Sequence, residues 1–298
     1  MKNKLIVRIA EGLGNQLFMY AHAYSLSKKI NYDLYIDNTS GYFKKKNQFR
    51  AFELDKFTIT SKYTVPELRY DNYFLDFKRK IKKSLDFFKH KKSFLIENKD
   101  NYKNTSFNKI DLSKHSDLLF VEGYFQSDKY FIDCRDFLIN EFKIKENYIN
   151  LNNHLINELK KNNSVSICIR QNRFSEGKNI DKKKSIKFTQ DTIEYIKRSI
   201  FFLKNKITNP KFYIWSDDFS NLDEYFDQNE FTFIKNVNNK FLNDFYLFQY
   251  SKHFIIGPTS FHWWGAWLNE NPNKICLRPS NINPSNNSDF WPNNWISI

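Results

Sequence analysis

The run Leu5-Ile6-Val7-Arg8-Ile9 leads straight into Ala10-Glu11-Gly12-Leu13-Gly14, and an amphipathic pattern then continues to Lys29. A short apolar run followed by helical periodicity reads as strand, glycine turn and helix. Asp33–Asp37 supplies the next strand. Glycine has no Cβ, so backbone N–H groups there can approach a ligand closely. The start of the helix adds a partial positive charge that favours anions. A plain β–α turn that binds nothing would look the same as far as Gly14. Asn15 and Gln16 go further, because two side-chain amides offer donors and acceptors that a turn does not need. Gly12, Gly14, Asn15 and Gln16 are therefore candidate ligand contacts.

The same alternation returns along the chain. Leu118–Glu122 reads as a strand and Ser127–Ile139 as a helix. After an Asn- and Lys-rich stretch over 140–163 come a strand at Val165–Arg170, a helix at Gln190–Lys204 and a strand at Lys211–Trp215. A helix at Asn243–Tyr250, a strand at Phe254–Ile256, a helix from Ser260 to Leu268 and a strand at Ile275–Leu277 complete the series. Strands alternating with helices imply parallel sheets with ligands at the C-terminal strand ends. The chain has 298 residues, room for two domains of about 150 each. The expected division is 1–150 and 151–298.

Several classes are excluded on composition. No apolar run approaches the roughly 18–20 residues that span a membrane. Met1-Lys2-Asn3-Lys4 and the five residues after it are too short for a signal-peptide core. Cys134, Cys168 and Cys276 form neither a disulfide framework nor a zinc pattern, and the isolated histidines give no metal spacing. A cytoplasmic protein is expected. The net charge of +14 invites nucleic acid as a partner, yet no helix-turn-helix, zinc-finger or RNA-binding signature accompanies it. Phe74, Phe77, Ile81, Leu85 and Phe88 recur at helical spacing within a Lys-rich segment. The expectation is an ordinary helix packing that stripe on the core. The alternative is a helix lying on anionic lipid.

Four segments carry polar residues where strands end. Val121-Glu122-Gly123-Tyr124-Phe125-Gln126-Ser127-Asp128-Lys129-Tyr130-Phe131 reads as a strand end, a turn and a capped helix. In Val165-Ser166-Ile167-Cys168-Ile169-Arg170-Gln171-Asn172-Arg173, a strand delivers Arg170 to a cationic loop. A guanidinium there can make paired, charge-assisted bonds to phosphate oxygens, with Arg173 assisting. Ile214-Trp215-Ser216-Asp217-Asp218 ends a strand in two carboxylates. Ser216, Asp217 and Asp218 either receive ribose hydroxyls or a base edge, or cap the helix that follows. Gly257-Pro258-Thr259-Ser260-Phe261-His262-Trp263-Trp264-Gly265-Ala266-Trp267-Leu268 places two hydroxyls at a helix start, where Thr259, Ser260 and the flanking Phe261 can line a phosphate site. The tryptophans at this spacing read as helix core or as stacking surfaces. No Asp-Xaa-Asp occurs, so metal-independent chemistry is expected, with no cofactor.

Together these segments resemble the bacterial α-1,2-fucosyltransferases of glycosyltransferase family 11. Gly12-Leu13-Gly14-Asn15-Gln16-Leu17-Phe18-Met19-Tyr20-Ala21 is similar to the family's N-terminal signature. The 123–131 segment matches its Gly-Tyr-(Trp/Phe)-Gln-Ser-(Glu/Asp)-Lys-Tyr-Phe, and the 260–268 segment its Thr-Phe-Ser-Trp-Trp-Gly-Ala-Trp-Leu, with His262 in place of Ser. Ser-Asp-Asp after the strand recurs as well. The family's His-Xaa-Arg-Arg-Gly-Asp is matched at Arg170 only; Cys168, Gln171, Asn172 and Arg173 depart from it. Residues 41–115 are unmatched.

The resemblance implies a GT-B architecture: two Rossmann-like α/β domains facing a cleft, the C-terminal one holding GDP and the N-terminal one on the acceptor side. It implies inverting transfer of fucose from GDP-β-L-fucose to a hydroxyl of a glycan or lipid-linked acceptor in surface polysaccharide synthesis, at the inner membrane face. Arg170, matching the family's diphosphate-binding Arg, would stabilise the leaving group. Glu11, Glu176 and His262 are the candidates for the base. Two alternatives stay open: a related transferase with another donor sugar or linkage, and a basic nucleic-acid- or membrane-binding protein.

Overall fold

The computed structural model describes residues 3–44, 50–97, 111–171, 173–175, 180–235 and 241–298. The chain divides into two compact units. The first comprises Met1–Lys143 with Ser285–Phe290, the second Ile144–Pro284 with Trp291–Ile298. The chain thus returns to the first unit near its end, which no single boundary in the sequence can express. Phe290 packs on Phe18 at 6.0 Å, and Asp289 pairs with Lys129 at 2.7 Å.

The first unit runs β1 (Lys4–Arg8), α1 (Leu13–Ile30), β2 (Asp33–Asp37), β3 (Lys62–Tyr63), α2 (Tyr73–Asp86), β4 (Lys92–Ile96), β5 (His115–Glu122) and α3 (Arg135–Glu141). Its strands pair in the order β3-β2-β1-β5-β4, all parallel. Leu5, Ile6 and Val7 are buried at the centre, and α1 is buried along nearly its whole length. The expected single helix over Ser127–Ile139 is instead two 3-10 turns, Asp128–Tyr130 and Ile132–Cys134, followed by α3. Phe131 breaks the helix with φ −145° and ψ 8°. Its ring is fully buried and reaches Phe18 at 6.0 Å. Burying that ring outweighs the continuity of helical hydrogen bonds.

α2 reverses an expectation. Its apolar stripe does not pack on the core; Phe74, Phe77, Ile81 and Leu85 are exposed, while Asp76, Arg79 and Asp86 are buried. Ion pairs are responsible. Arg79 donates to both Glu122 oxygens at 2.6 Å and to Asp76 at 2.7 Å, and Lys83 meets Glu122 at 2.8 Å. Helical periodicity located the stripe correctly, but it carries no information about which face a charge network will claim.

The second unit runs α4 (Asn153–Lys161), β6 (Asn163–Ile169), α5 (Lys182–Lys204), β7 (Pro210–Ser216), β8 (Phe231–Phe233), α6 (Phe241–Leu247), β9 (His253–Ile255), α7 (Ser260–Leu268), β10 (Cys276–Arg278) and β11 (Ile296–Ser297). The strand order is β11-β10-β9-β6-β7-β8, again all parallel. Val165, Ile167 and Ile169 pack against Ile193, Ile196, Ile200 and Leu203 of α5. That helix begins earlier than its periodicity suggested, because Asp181 caps it by accepting from the Lys184 amide at 2.9 Å. Trp263, Trp264 and Trp267 are core residues, with Trp263 stacked on Trp267 at 5.9 Å.

Candidate functional sites at two switch points

In an open parallel sheet, ligands bind outside the carboxyl ends of the strands where the chain reverses its direction of winding. In the first unit the chain winds outward from β1 through β2 to β3, then returns on the other side to β4 and β5. Its switch point lies between β1 and β5. In the second it winds from β6 through β7 to β8, then returns to β9, β10 and β11, so the switch point lies between β6 and β9. The segments singled out above follow these four strands, except Ile214–Asp218, which ends the neighbouring β7.

At the first switch point Glu11 has φ +66°, a conformation that costs a non-glycine residue about 1–2 kcal/mol. Gly12 is the extended residue before α1. Gln16 does not face a ligand. It is fully buried, donates to the carbonyls of Glu11 (2.8 Å) and Ala51 (2.7 Å), and accepts from the Glu53 amide (2.9 Å). Its amide fastens the loop around residues 51–53 to the glycine turn, which corrects the expectation of a ligand contact there. Asn15 is half-buried, and its Oδ1 accepts from Gln126 Nε2 at 2.8 Å. Gly14 is buried within the first turn of α1.

Two residues here escaped the sequence reading. Gln126 lay inside a recognised segment but read as part of a turn. Arg50 falls in the unmatched 41–115 stretch, and its guanidinium lies against Gly12: a Cβ on Gly12 would sit 3.3 Å from Arg50 Nη1. No local signal marks it.

At the second switch point Arg170 follows the last residue of β6, and the register pairs Ile169 with Ser216. Arg170 Nε therefore stands 3.9 Å from Asp217 Oδ2. The other Asp217 oxygen accepts from the Gln171 amide at 3.0 Å. Gln171 replaces the family's second Arg, and its side chain donates to the carbonyls of Asp218 (2.7 Å) and Ser220 (3.0 Å). Asp218 turns its carboxylate to the Ser220 amide at 2.9 Å, closing the turn after β7, and Ser216 donates to the Asp218 carbonyl.

Arg173 is a strut. It donates to Pro258 O at 3.0 Å and Pro284 O at 3.4 Å, and lies 5.2 Å over the rings of both Phe174 and Phe188. Burial, reinforced by the charge of Arg170, lowers its pKa to about 10. On the β9 side, Thr259 caps α7, its hydroxyl accepting from the His262 amide at 3.2 Å. Ser260 and Phe261 occupy the first helical positions, whose amides have no partner within a helix. Phe261 packs on Phe245 at 5.1 Å.

His262 does not fit the role of a proton carrier. It is buried, and desolvation together with the charge of Arg170 lowers its pKa to about 3. The ring is a neutral packing group. Gly257 makes this arrangement sterically feasible: a Cβ there would lie 2.2 Å from Cys168 O and 2.6 Å from His262 Nδ1. Glu176 and Asn172 lie outside the described residues. Among the described residues no group of three or more His, Cys, Asp or Glu is placed to hold a metal ion. No helix among them is long and apolar enough to cross a membrane.

The family model for glycosyl transferase family 11 matches residues 4–298. The chain belongs to glycosyltransferase family 11. As a member it is a glycosyltransferase, and its two parallel-sheet α/β units are of the GT-B type. It is 29% identical to an alpha-1,2-colitosyltransferase of Escherichia coli, over 99% of this chain and 98% of that protein. It is 26% identical to the O-antigen biosynthesis glycosyltransferase WbnK of Escherichia coli, over 97% and 99%. Among solved structures, it resembles NodZ alpha-1,6-fucosyltransferase soaked with GDP-fucose at a TM-score of 0.50 and 12% identity, covering 90% of this chain and 93% of that one. A further structure of NodZ, from Bradyrhizobium, gives 0.51 and 12%, covering 89% and 92%. These likenesses establish the fold of this family 11 glycosyltransferase.

Proposed function

We propose that this glycosyltransferase transfers L-fucose from GDP-β-L-fucose to a hydroxyl of a surface-polysaccharide glycan, with inversion, forming an α-1,2 linkage. One observation carries the donor site: the positive field at the second switch point. Burial is the main cause of the lowered pKa of Arg173 and of His262, and the charge of Arg170 adds to it in both, so Arg170 lies near two separate groups. The N-terminus of α7 adds its partial charge to the same strand edge. Such a place suits a diphosphate. Arg170, oriented by Asp217, binds its oxygens, with Ser260 and the amides of Ser260 and Phe261. Thr259 shapes the turn, and Arg173 holds the loop that carries Arg170.

In the reaction the acceptor oxygen forms a bond to the anomeric carbon while the bond from that carbon to the diphosphate oxygen breaks. The electron pair leaves with GDP, and Arg170 stabilises the charge that develops there. A base takes the proton of the acceptor hydroxyl, and Glu11 is our candidate for it. Its strained backbone supports this role, because such strain collects at functional positions. Asn15, Gln126 and Arg50 set the shape of the acceptor loop around it.

The 29% identity to a colitosyltransferase supports a second reading, in which the donor sugar is colitose. Thermal stabilisation of the purified protein by GDP, GDP-fucose, GDP-mannose, UDP-sugars and dTDP-sugars tests the donor. At a hundredfold excess over Kd, a ligand stabilises by about 2.7 kcal/mol. A shift with GDP and GDP-fucose that Arg170→Ala abolishes is the expected result. A shift confined to UDP- or dTDP-sugars overturns the donor assignment. Sugar transfer from GDP-fucose and GDP-colitose to galactose-terminated acceptors then separates the two sugars.

A further inference from the structure

We propose that the outward face of α2 is a docking surface for an anionic lipid bilayer. This goes beyond the donor and acceptor reading and does not depend on it. Phe74, Phe77, Ile81 and Leu85 follow one another along a single stripe of the helix, and Phe88 continues it past the helix end. They are 64%, 61%, 43%, 53% and 82% exposed. Soluble proteins rarely leave a contiguous apolar patch of this kind open unless something covers it.

The helix cannot bury the stripe by rolling inward. Its other face is pinned by Arg79, which bridges Asp76 and Glu122, and by Lys83 on Glu122. Asp86 accepts from the backbone amides of Ser93 and Phe94 at 2.9 and 3.0 Å. Breaking a buried pair leaves an uncompensated charge. The ion pairs are robust. Burial alone would raise the Asp76 carboxyl, but bonds to Lys44 and Arg79 outweigh it and hold the group at about 2. The apolar face is therefore presented outward by construction.

The flanking charges choose the occupant. Lys78, Lys82 and Lys91 are exposed near the stripe, while Lys80 and Lys89 pair with Asp76 and Asp86, whose carboxylates are turned inward. The outer surface thus combines aromatic and aliphatic groups with positive charge alone. A second copy of this chain would bring lysines against lysines. Nucleic acid would have no use for the apolar stripe. An anionic bilayer accepts both: rings enter the acyl boundary while lysines stay with the headgroups. Lys78 holds its Nζ 4.3 Å above the Phe74 ring, a cation–π contact that keeps positive charge beside the stripe.

The test is flotation of the full-length protein with vesicles of phosphatidylcholine alone and of phosphatidylcholine mixed with phosphatidylglycerol. One variant carries Phe74→Ser, Phe77→Ser and Ile81→Ser; another carries Lys78→Glu, Lys82→Glu and Lys91→Glu. All six side chains are exposed, and unchanged melting temperatures verify the fold. The expected result is salt-sensitive binding to the anionic vesicles only, weakened about tenfold or more by either variant, since each lysine near such a surface counts for roughly fivefold. Absence of wild-type binding overturns the proposal, as does equal binding by the serine variant. A dimer in solution that the serine substitutions dissolve, without vesicle binding, or duplex DNA binding in place of lipid binding, overturns it as well. None of these results would alter stabilisation by nucleotide, which reports on the donor site separately.

Discussion

The side-chain amide of Gln126 donates to Asn15 Oδ1 across 2.8 Å, joining residues 111 positions apart in the chain. The bond links the first turn of α1 to the turn after β5, two segments that border the switch point of the first unit. It brings two segments read separately from the sequence together at one edge of the sheet. Gln126→Leu removes the donor and leaves the Asn15 carbonyl without it. Transfer efficiency, kcat/KM, is expected to fall on the order of tenfold or more through misplacement of the loop. Stability should fall by only about 1–3 kcal/mol. Asn15→Leu should behave alike, and the double variant should lose less than the sum of the two. Steady-state kinetics and urea unfolding of all three proteins check this. Strictly additive losses would show that the two amides act independently.

Gly257→Ala addresses the second switch point. The added Cβ would fall 2.2 Å from the Cys168 carbonyl oxygen and 2.6 Å from His262 Nδ1. The first of these is backbone of a central strand and has little room to yield. The substitution is expected to destabilise the protein by about 1–3 kcal/mol, the range for overpacking a tight interior, and to weaken nucleotide stabilisation by displacing α7. Thermal unfolding with and without GDP measures both. A variant as stable as the parent would mean that β6 and β9 separate more easily than their hydrogen bonding suggests.

Acid should destabilise the native state through its buried imidazoles. Burial lowers His262 from 6.5 to about 3, with the charge of Arg170 contributing; burial, with Lys29, lowers His22 to about 3 as well. Between those values the unfolded chain holds protons that the folded chain refuses. The stability contributed by neutral rings is therefore complete above about 6.5 and is lost progressively as the pH falls toward 3. His262→Ser should flatten the stability profile in this window by a few kcal/mol, because each tenfold difference in proton affinity between the folded and unfolded chains is worth about 1.4 kcal/mol. Urea midpoints from pH 7.5 to pH 4 read this out. An unchanged slope in the variant would place the acid sensitivity elsewhere.

Much of this architecture was legible because parallel β–α units write themselves locally. Leu5–Ile9 and Val165–Arg170 announce strands by their apolar runs, and the polar residues that end them mark the sheet edge where binding is expected. What stayed hidden depends on contacts distant in sequence. Gln16 looked like a ligand group, yet the Ala51 carbonyl and the Glu53 amide claim its side chain. The stripe on α2 was visible, but its outward orientation follows from Glu122, some forty residues later in the chain. The short strands β3, β8 and β11 lack enough apolar length to be seen; sheet pairing creates them. His262 could be a proton carrier or a core residue by sequence, and only burial decides.

Arg170 and Arg173 offer the sharpest contrast, since the sequence presents them as near-equivalent cations. Arg170 stands 3.9 Å from the Asp217 carboxylate, whereas Arg173 is bound to two carbonyls and two rings. Arg170→Ala should therefore abolish stabilisation by GDP while changing the stability of the unliganded protein at neutral pH by less than about 1 kcal/mol, the range for a partly exposed ion pair. It should also raise the His262 pKa by removing a nearby positive charge. The folded chain then accepts that proton at a higher pH, so the loss of stability in acid ends sooner and is smaller. Arg173→Ala should reverse the balance between binding and stability. It leaves Pro258 O and Pro284 O without their half-buried donor, lowering unliganded stability by about 1–3 kcal/mol, with nucleotide affinity reduced only as far as the loop loosens. Arg170→Lys keeps the charge but loses the planar fork, so it should recover the pH behaviour of the parent without recovering its affinity. Calorimetric titration with GDP and pH-dependent unfolding of the three variants separate these roles. Equal loss of GDP binding in Arg173→Ala at undiminished stability would make Arg173 a direct phosphate ligand and end the distinction.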